Sequence, residues 1–164
     1  MGTSALNVVI LLAVVVAHTL LADLVAIGGV SPDLPLIAIV FLALRYGQIP
    51  GTLAGFGSGL ALDFLSAGDG VMGLSALAKT VAGFLAGYFY SETKAQQLLG
   101  GYEFIILVGA TAVVHNTIYF VVLLQGTDIG WSLAILRYGI PSALYTAAVA
   151  LIPMFIVSRR NTLS

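Results

Sequence analysis

The chain has 164 residues, of which 60% are hydrophobic and 8% are charged, and its mean hydropathy is +1.09. Soluble domains are closer to half apolar and a quarter charged, so the composition predicts an all-α membrane protein that forms a single polytopic domain over residues 1–164. The net charge of −1 and the absence of cysteine exclude a basic nucleic-acid surface, disulfides, thiolate metal sites and cysteine catalysis.

Six apolar segments approach the length of about 20 residues that a membrane-crossing helix needs. The first follows no Lys or Arg and no clear cleavage site follows it, so it predicts a retained span rather than a signal peptide. The second is short, and it either tilts into a thinner patch of bilayer or includes part of "VAIGGV". Pro141 and Pro153 predict a kink in the sixth. The predicted spans are about 5–22, 32–46, 49–66, 71–90, 103–124 and 137–157.

The charged residues between the spans predict the orientation of a six-helix bundle. One side carries four basic residues, which are Arg45, Lys94, Arg159 and Arg160. The loops of the opposite side carry only acids, which are Asp23, Asp33, Asp69 and Asp128. Because short cytoplasmic loops are enriched in Lys and Arg, both termini are predicted to be cytoplasmic. In "SPD" before the second span, Ser31 or Asp33 is the predicted N-cap.

Asp63 in the third span and Lys79 in the fourth are ionisable groups within stripes of small residues. The stripes have steps of four, which lie on one face of a helix, and consist of Gly51, Gly55 and Gly59 on one helix and Ser75, Gly83 and Gly87 on the other. Such stripes let two membrane helices pack closely. The predicted antiparallel register pairs Gly51 with Gly87, Gly55 with Gly83, Gly59 with Lys79, and Asp63 with Ser75.

In that register Lys79 leans toward Asp63, and the long lysine stem covers a gap of one turn. Three interpretations remain open for this pair: a structural ion pair that locks the hairpin, a pair that lines a cavity or a partner surface, and a Lys79 that reaches the interface alone.

Three further polar residues are candidates within the membrane: His115 and Asn116 in the fifth span, and Arg137 at the start of the sixth. For His115 and Asn116 the alternatives are an interhelical hydrogen bond and a ligand or proton site. Ser142, Thr146 and Ala150 form a stripe that predicts a packing face. The sequence has no paired intramembrane acids, no histidine-rich metal site and no phosphate-binding loop, so no enzyme activity and no cofactor are predicted.

Three segments carry a family resemblance, and they cover roughly residues 30–90 and 137–160. They are "SPDLPLIAIVFLALRYG", "GTLAGFGSGLALDFLSAGDGVMGLSALAKTVAGFLAGYF" and "PSALYTAAVALIPMFIVSRR". In order and spacing they resemble the rod shape-determining protein MreD family.

The resemblance implies a non-catalytic membrane scaffold of the bacterial cell-elongation machinery, located in the inner membrane, that helps organise lateral peptidoglycan synthesis. The implied partners are MreC in the first place, with the MreB cytoskeleton, RodA and a class B penicillin-binding protein contacted directly or indirectly. The implied fold resembles the substrate-binding component of energy-coupling-factor transporters, which makes a small-molecule-binding transport subunit the alternative function.

Overall fold

A computed structural model describes the backbone of residues 2–65, 71–128 and 130–163, and the side chains from residue 5 to residue 160 within these ranges. These residues form seven helices and no strand. The turn predicted at "SAGDG", with Asp69, lies outside the described residues. The helices are α1 (Gly2–Leu21), α2 (Leu34–Tyr46), α3 (Gln48–Leu65), α4 (Leu74–Gly87), α5 (Ala95–Gly100), α6 (Tyr102–Leu123) and α7, which is built from the consecutive segments Trp131–Ala134, Ile135–Gly139, Ile140–Val149 and Leu151–Leu163.

Each predicted apolar segment contains one long helix, and the short second segment, α2, lies at the centre of the bundle. Most of its side chains are buried, and it contacts α1, α3, α4, α5 and α6. The expectation that α2 includes "VAIGGV" is wrong, because residues 22–33 form a loop with a single bridge between Ile27 and Val30. Asp33 is the N-cap of α2 and accepts a hydrogen bond from the backbone N–H of Leu36 at 2.9 Å.

The segment between the predicted fourth and fifth spans contains the short helix α5. Its Leu99 is buried in the main apolar cluster together with Leu44 of α2 and Phe104 of α6. A six-residue segment is too short to give a periodic signal, so this helix was not predicted from the sequence.

The prolines in α7 alter its geometry without ending it. A proline has no N–H, and its ring clashes with the carbonyl four residues earlier. Four residues before Pro141 is Arg137, which lies in a π-helical turn (Ile135–Gly139). Four residues before Pro153 is Val149, where the segment Ile140–Val149 ends. The helix begins at Trp131, six residues before the predicted start of the sixth span.

The small-residue stripes of α3 and α4 pack against each other, but the predicted register is wrong by one helical turn. A Cβ placed on Gly51 would lie 2.8 Å from the carbonyl oxygen of Gly83, and one placed on Gly59 would lie 2.5 Å from that of Ser75. A Cβ on Gly55 would collide with the carbonyl of Lys79, and one on Gly87 would collide with the backbone of Gln48. Only glycine therefore fits at these contacts.

Large apolar side chains cover the outside of the bundle, on α1, α3, α4, α6 and α7. Two helices, Tyr102–Leu123 and Trp131–Arg160, are long and apolar enough to cross a membrane. Shorter apolar helices of the described chain are Ala5–Leu21, Leu34–Tyr46 and Leu74–Gly87.

Candidate functional site: a buried polar cluster

A buried ion pair joins Asp33 at the start of α2 to Lys79 of α4. The ammonium group of Lys79 donates a hydrogen bond to Oδ2 of Asp33, while Oδ1 of Asp33 caps α2. The side chains of Lys79 and Asp33 are 3% and 15% exposed. An unpaired charge in such surroundings costs several kcal/mol, so each group depends on the other for compensation.

The expected pairing of Lys79 with Asp63 is therefore wrong. Asp63 instead accepts hydrogen bonds from the backbone N–H groups of Gly73, Ser75 and Ala76, at 3.0–3.1 Å. The first N–H groups of a helix have no partner within the helix, and leaving them unpaired in apolar surroundings is costly. Asp63 satisfies these groups at the start of α4, and its carboxylate is therefore engaged with backbone rather than with Lys79.

His115 and Asn116 of α6 extend the ion pair toward α7. Nδ1 of His115 lies 3.9 Å from Oδ2 of Asp33 and 3.2 Å from Oδ1 of Asn116. The amide of Asn116 donates to the carbonyl of Gly139, the last residue of the π-helical turn, at 2.7 Å. For Asn116 the predicted interhelical hydrogen bond is confirmed. Nε2 of His115 is buried and has no hydrogen-bond partner among the described residues.

The stripe on α7 holds the loop between α1 and α2. The hydroxyl of Thr146 accepts a hydrogen bond from the backbone N–H of Asp33 at 2.9 Å, and that of Ser142 donates to the carbonyl of Ser31 at 3.0 Å. The hydroxyl of Tyr145 donates to the carbonyl of Val25 at 3.0 Å. The stripe therefore positions Asp33, the acid of the ion pair, in addition to its predicted role as a packing face.

We call Asp33, Lys79, His115, Asn116, Ser142 and Thr146 the polar cluster. It joins α2, α4, α6 and α7 through charged and neutral hydrogen bonds. Arg137 lies outside it, because its side chain is exposed and its guanidinium lies over the ring of Tyr138 at 5.6 Å. Asp33 was not predicted from the sequence to belong to this cluster. The available signal was an acid directly before the apolar start of a short helix, but its partner on α4 is 46 residues away in the sequence.

The groups of the polar cluster are arranged to hold helices together rather than to react. Its only amine is held by a carboxylate, and no hydroxyl lies in a nucleophile–base arrangement, since Thr146 and Ser142 bond to backbone atoms. Among the residues that the structure describes, no three His, Asp or Glu side chains are grouped so that they could hold a metal ion.

A groove of about 460 Å³ lies beside α1, between α2 and α3. Small residues of α3 line part of it, including Ala54, Gly57 and Ser58, and Asn7 of α1 lies in it as well. A Cβ on Gly57 would meet nothing within 4 Å, in contrast to the packed glycines of the α3–α4 contact.

Comparison of the chain with protein-family models, curated proteins and solved structures gives no match.

Proposed function

We propose that the chain is a multi-pass protein of the bacterial inner membrane with both termini in the cytoplasm. The apolar exterior and the two helices of membrane-crossing length support this location. Arg45, Lys94 and Arg160 lie at or beyond the helix ends of one side, while Asp23 and Asp128 lie in loops of the other. Such an asymmetry is typical of cytoplasmic and external loops.

We further propose that it is a non-catalytic, MreD-like scaffold of the cell-elongation machinery. The observation that carries this proposal is how the structure uses three of the charged residues in the segments that resemble MreD, namely Asp33, Asp63 and Lys79. Asp33 and Lys79 neutralise each other, and Asp63 caps α4. Because all three charged side chains hold helices together, none of them is left for chemistry on a substrate. This arrangement supports a rigid scaffold.

The groove beside α1 supports docking of a transmembrane helix, for which MreC is the leading partner. Small residues allow two helix backbones to approach closely in lipid, and a membrane-embedded amide bonds across helices. Gly57 and Ala54 supply the small surface, and Asn7 supplies the amide. RodA, a class B penicillin-binding protein and MreB would be reached through this complex or directly.

The test is co-purification of MreC with the Gly57→Leu variant from a rod-shaped host in mild detergent. A Cβ at this position meets nothing within 4 Å, so leucine has room to extend into the groove; folding should be preserved and MreC lost. Ala110→Leu, at an exposed position of α6, is the matched control and should retain MreC. Full recovery of MreC with the folded Gly57→Leu variant would exclude this groove. Recovery with a foreign span in place of MreC's own would exclude helix docking altogether.

The alternative is a small-molecule-binding transport subunit. The observation that favours it is the buried Nε2 of His115 in the polar cluster, which has no hydrogen-bond partner within the described part of the chain and which a ligand could satisfy. Mass spectrometry of the purified complex separates the two functions. A stoichiometric small molecule with an ATPase module supports transport, whereas a single-span partner without such a ligand supports the scaffold.

A further inference from the structure

A basic pocket at one end of the bundle opens into an apolar groove between α1, α2 and α7. The pocket, of about 520 Å³, is lined by Arg45, Gln96 and Arg160 together with apolar side chains. The groove, of about 460 Å³, runs along α2 and α7. Phe41 and Pro153 line both, so the pocket and the groove form one continuous surface.

The length of this surface matches one leaflet of a bilayer. Leu34 and Ile37 line the groove at its far end, and Arg45 lines the pocket at the other. At 1.5 Å per residue, α2 rises about 16 Å between Leu34 and Arg45. Half of a hydrocarbon core of about 30 Å is about 15 Å. An acyl chain of one leaflet therefore spans the groove from end to end.

The charge at the end of the groove selects the kind of lipid. Arg45 and Arg160 come from different helices and are both exposed. The ion pairs among the described residues involve neither of them. A guanidinium forms paired hydrogen bonds with phosphate oxygens, and basic pockets between membrane helices on the cytoplasmic side bind anionic headgroups.

We infer that this surface binds one anionic glycerophospholipid of the cytoplasmic leaflet. Its phosphate lies between Arg45 and Arg160, and one acyl chain lies along Phe41, Ile37 and Leu34. The inference rests on the proposed membrane location, and it does not depend on the binding of MreC. The groove beside α1 that is proposed for a partner helix shares Asn7, Leu11 and Leu42 with this surface, but α3 lines the rest of it instead of α7.

The test is native mass spectrometry of the full chain in mild detergent, with equal amounts of phosphatidylglycerol and phosphatidylcholine that have identical acyl chains. A single phosphatidylglycerol adduct should predominate. Each arginine near a membrane surface contributes about a five-fold preference for anionic lipid, so the double change Arg45→Gln with Arg160→Gln should lower the ratio of the two adducts about 30-fold. Arg137→Gln removes the same kind of charge elsewhere and should leave the ratio unchanged.

Three results would overturn the inference. They are an unchanged ratio in the double variant, an equal fall with Arg137→Gln, and equal binding of glycerol phosphate, which has the headgroup but no acyl chain. Carbonate extraction of the host membranes tests the premise separately. A chain released by carbonate would overturn the membrane location itself, whereas a retained chain without lipid preference would overturn only the lipid site.

Discussion

Removal of one member of the Asp33–Lys79 pair should cost far more than removal of both. Lys79→Met keeps the length of the stem and leaves the carboxylate of Asp33, which is only 15% exposed, without its counter-ion. Asp33→Asn keeps an acceptor for the N–H of Leu36, because Asn caps a helix as well as Asp does, so this change isolates the lost charge. A stranded buried charge costs about 3–5 kcal/mol.

Each single change should therefore lower the midpoint of thermal unfolding by roughly 6–20 °C, since 1 kcal/mol corresponds to about 2–4 °C for a chain of this size. The double variant has no stranded charge and should be more stable than either single variant. Circular dichroism during heating in one detergent measures all four proteins. The resulting coupling between the two positions should be at least about 3 kcal/mol.

Asp63 provides the matched control for this cycle. Asp63→Asn combined with Lys79→Met should give additive losses, because the hydrogen bonds of Asp63 within the described residues come from backbone N–H groups of Gly73, Ser75 and Ala76 and none from Lys79. Additive losses for Asp33 and Lys79, with strong coupling between Asp63 and Lys79, would refute the pairing and restore the register that the sequence predicts.

Asp63→Ala should lower stability by about 2 kcal/mol, with a smaller loss for Asp63→Asn, because alanine offers no acceptor to the start of α4; equal thermal midpoints for Asp63→Ala and the unaltered protein would contradict the cap. Gly55→Leu should prevent close packing of α3 on α4 and abolish a monodisperse peak in size-exclusion chromatography, while Gly57→Leu on the same helix should not. A monodisperse Gly55→Leu variant together with an aggregated Gly57→Leu variant would contradict the assignment of Gly55 to the packed face. Single cysteines in this cysteine-free chain should react with an impermeant reagent outside the cell at position 128 and not at position 95, and external labelling at 95 would contradict the orientation.

Much of the fold follows from the sequence, because long apolar segments and steps of four are local patterns. A helix in each of the six apolar segments, a cap of α2 by Ser31 or Asp33, and the close contact of α3 with α4 were predicted in this way; the structure shows that Asp33 is the cap. The periodicity of a stripe determines which face of a helix packs. The periodicity leaves the register between the two helices open, since a shift of one helix by one turn along the other brings the same stripes into contact again.

Only the tertiary structure decided the register and the ion pair. The N–H groups at the start of α4 require an acceptor, and the carboxylate of Asp63 supplies it instead of pairing with Lys79. Lys79 pairs with Asp33, which lies at the start of α2. No pattern on α3 or α4 could indicate a partner on a third helix. The composition of the chain determined that its surface would be apolar. The position of each charge within that surface was determined by which backbone groups and counter-charges the packed helices brought into reach.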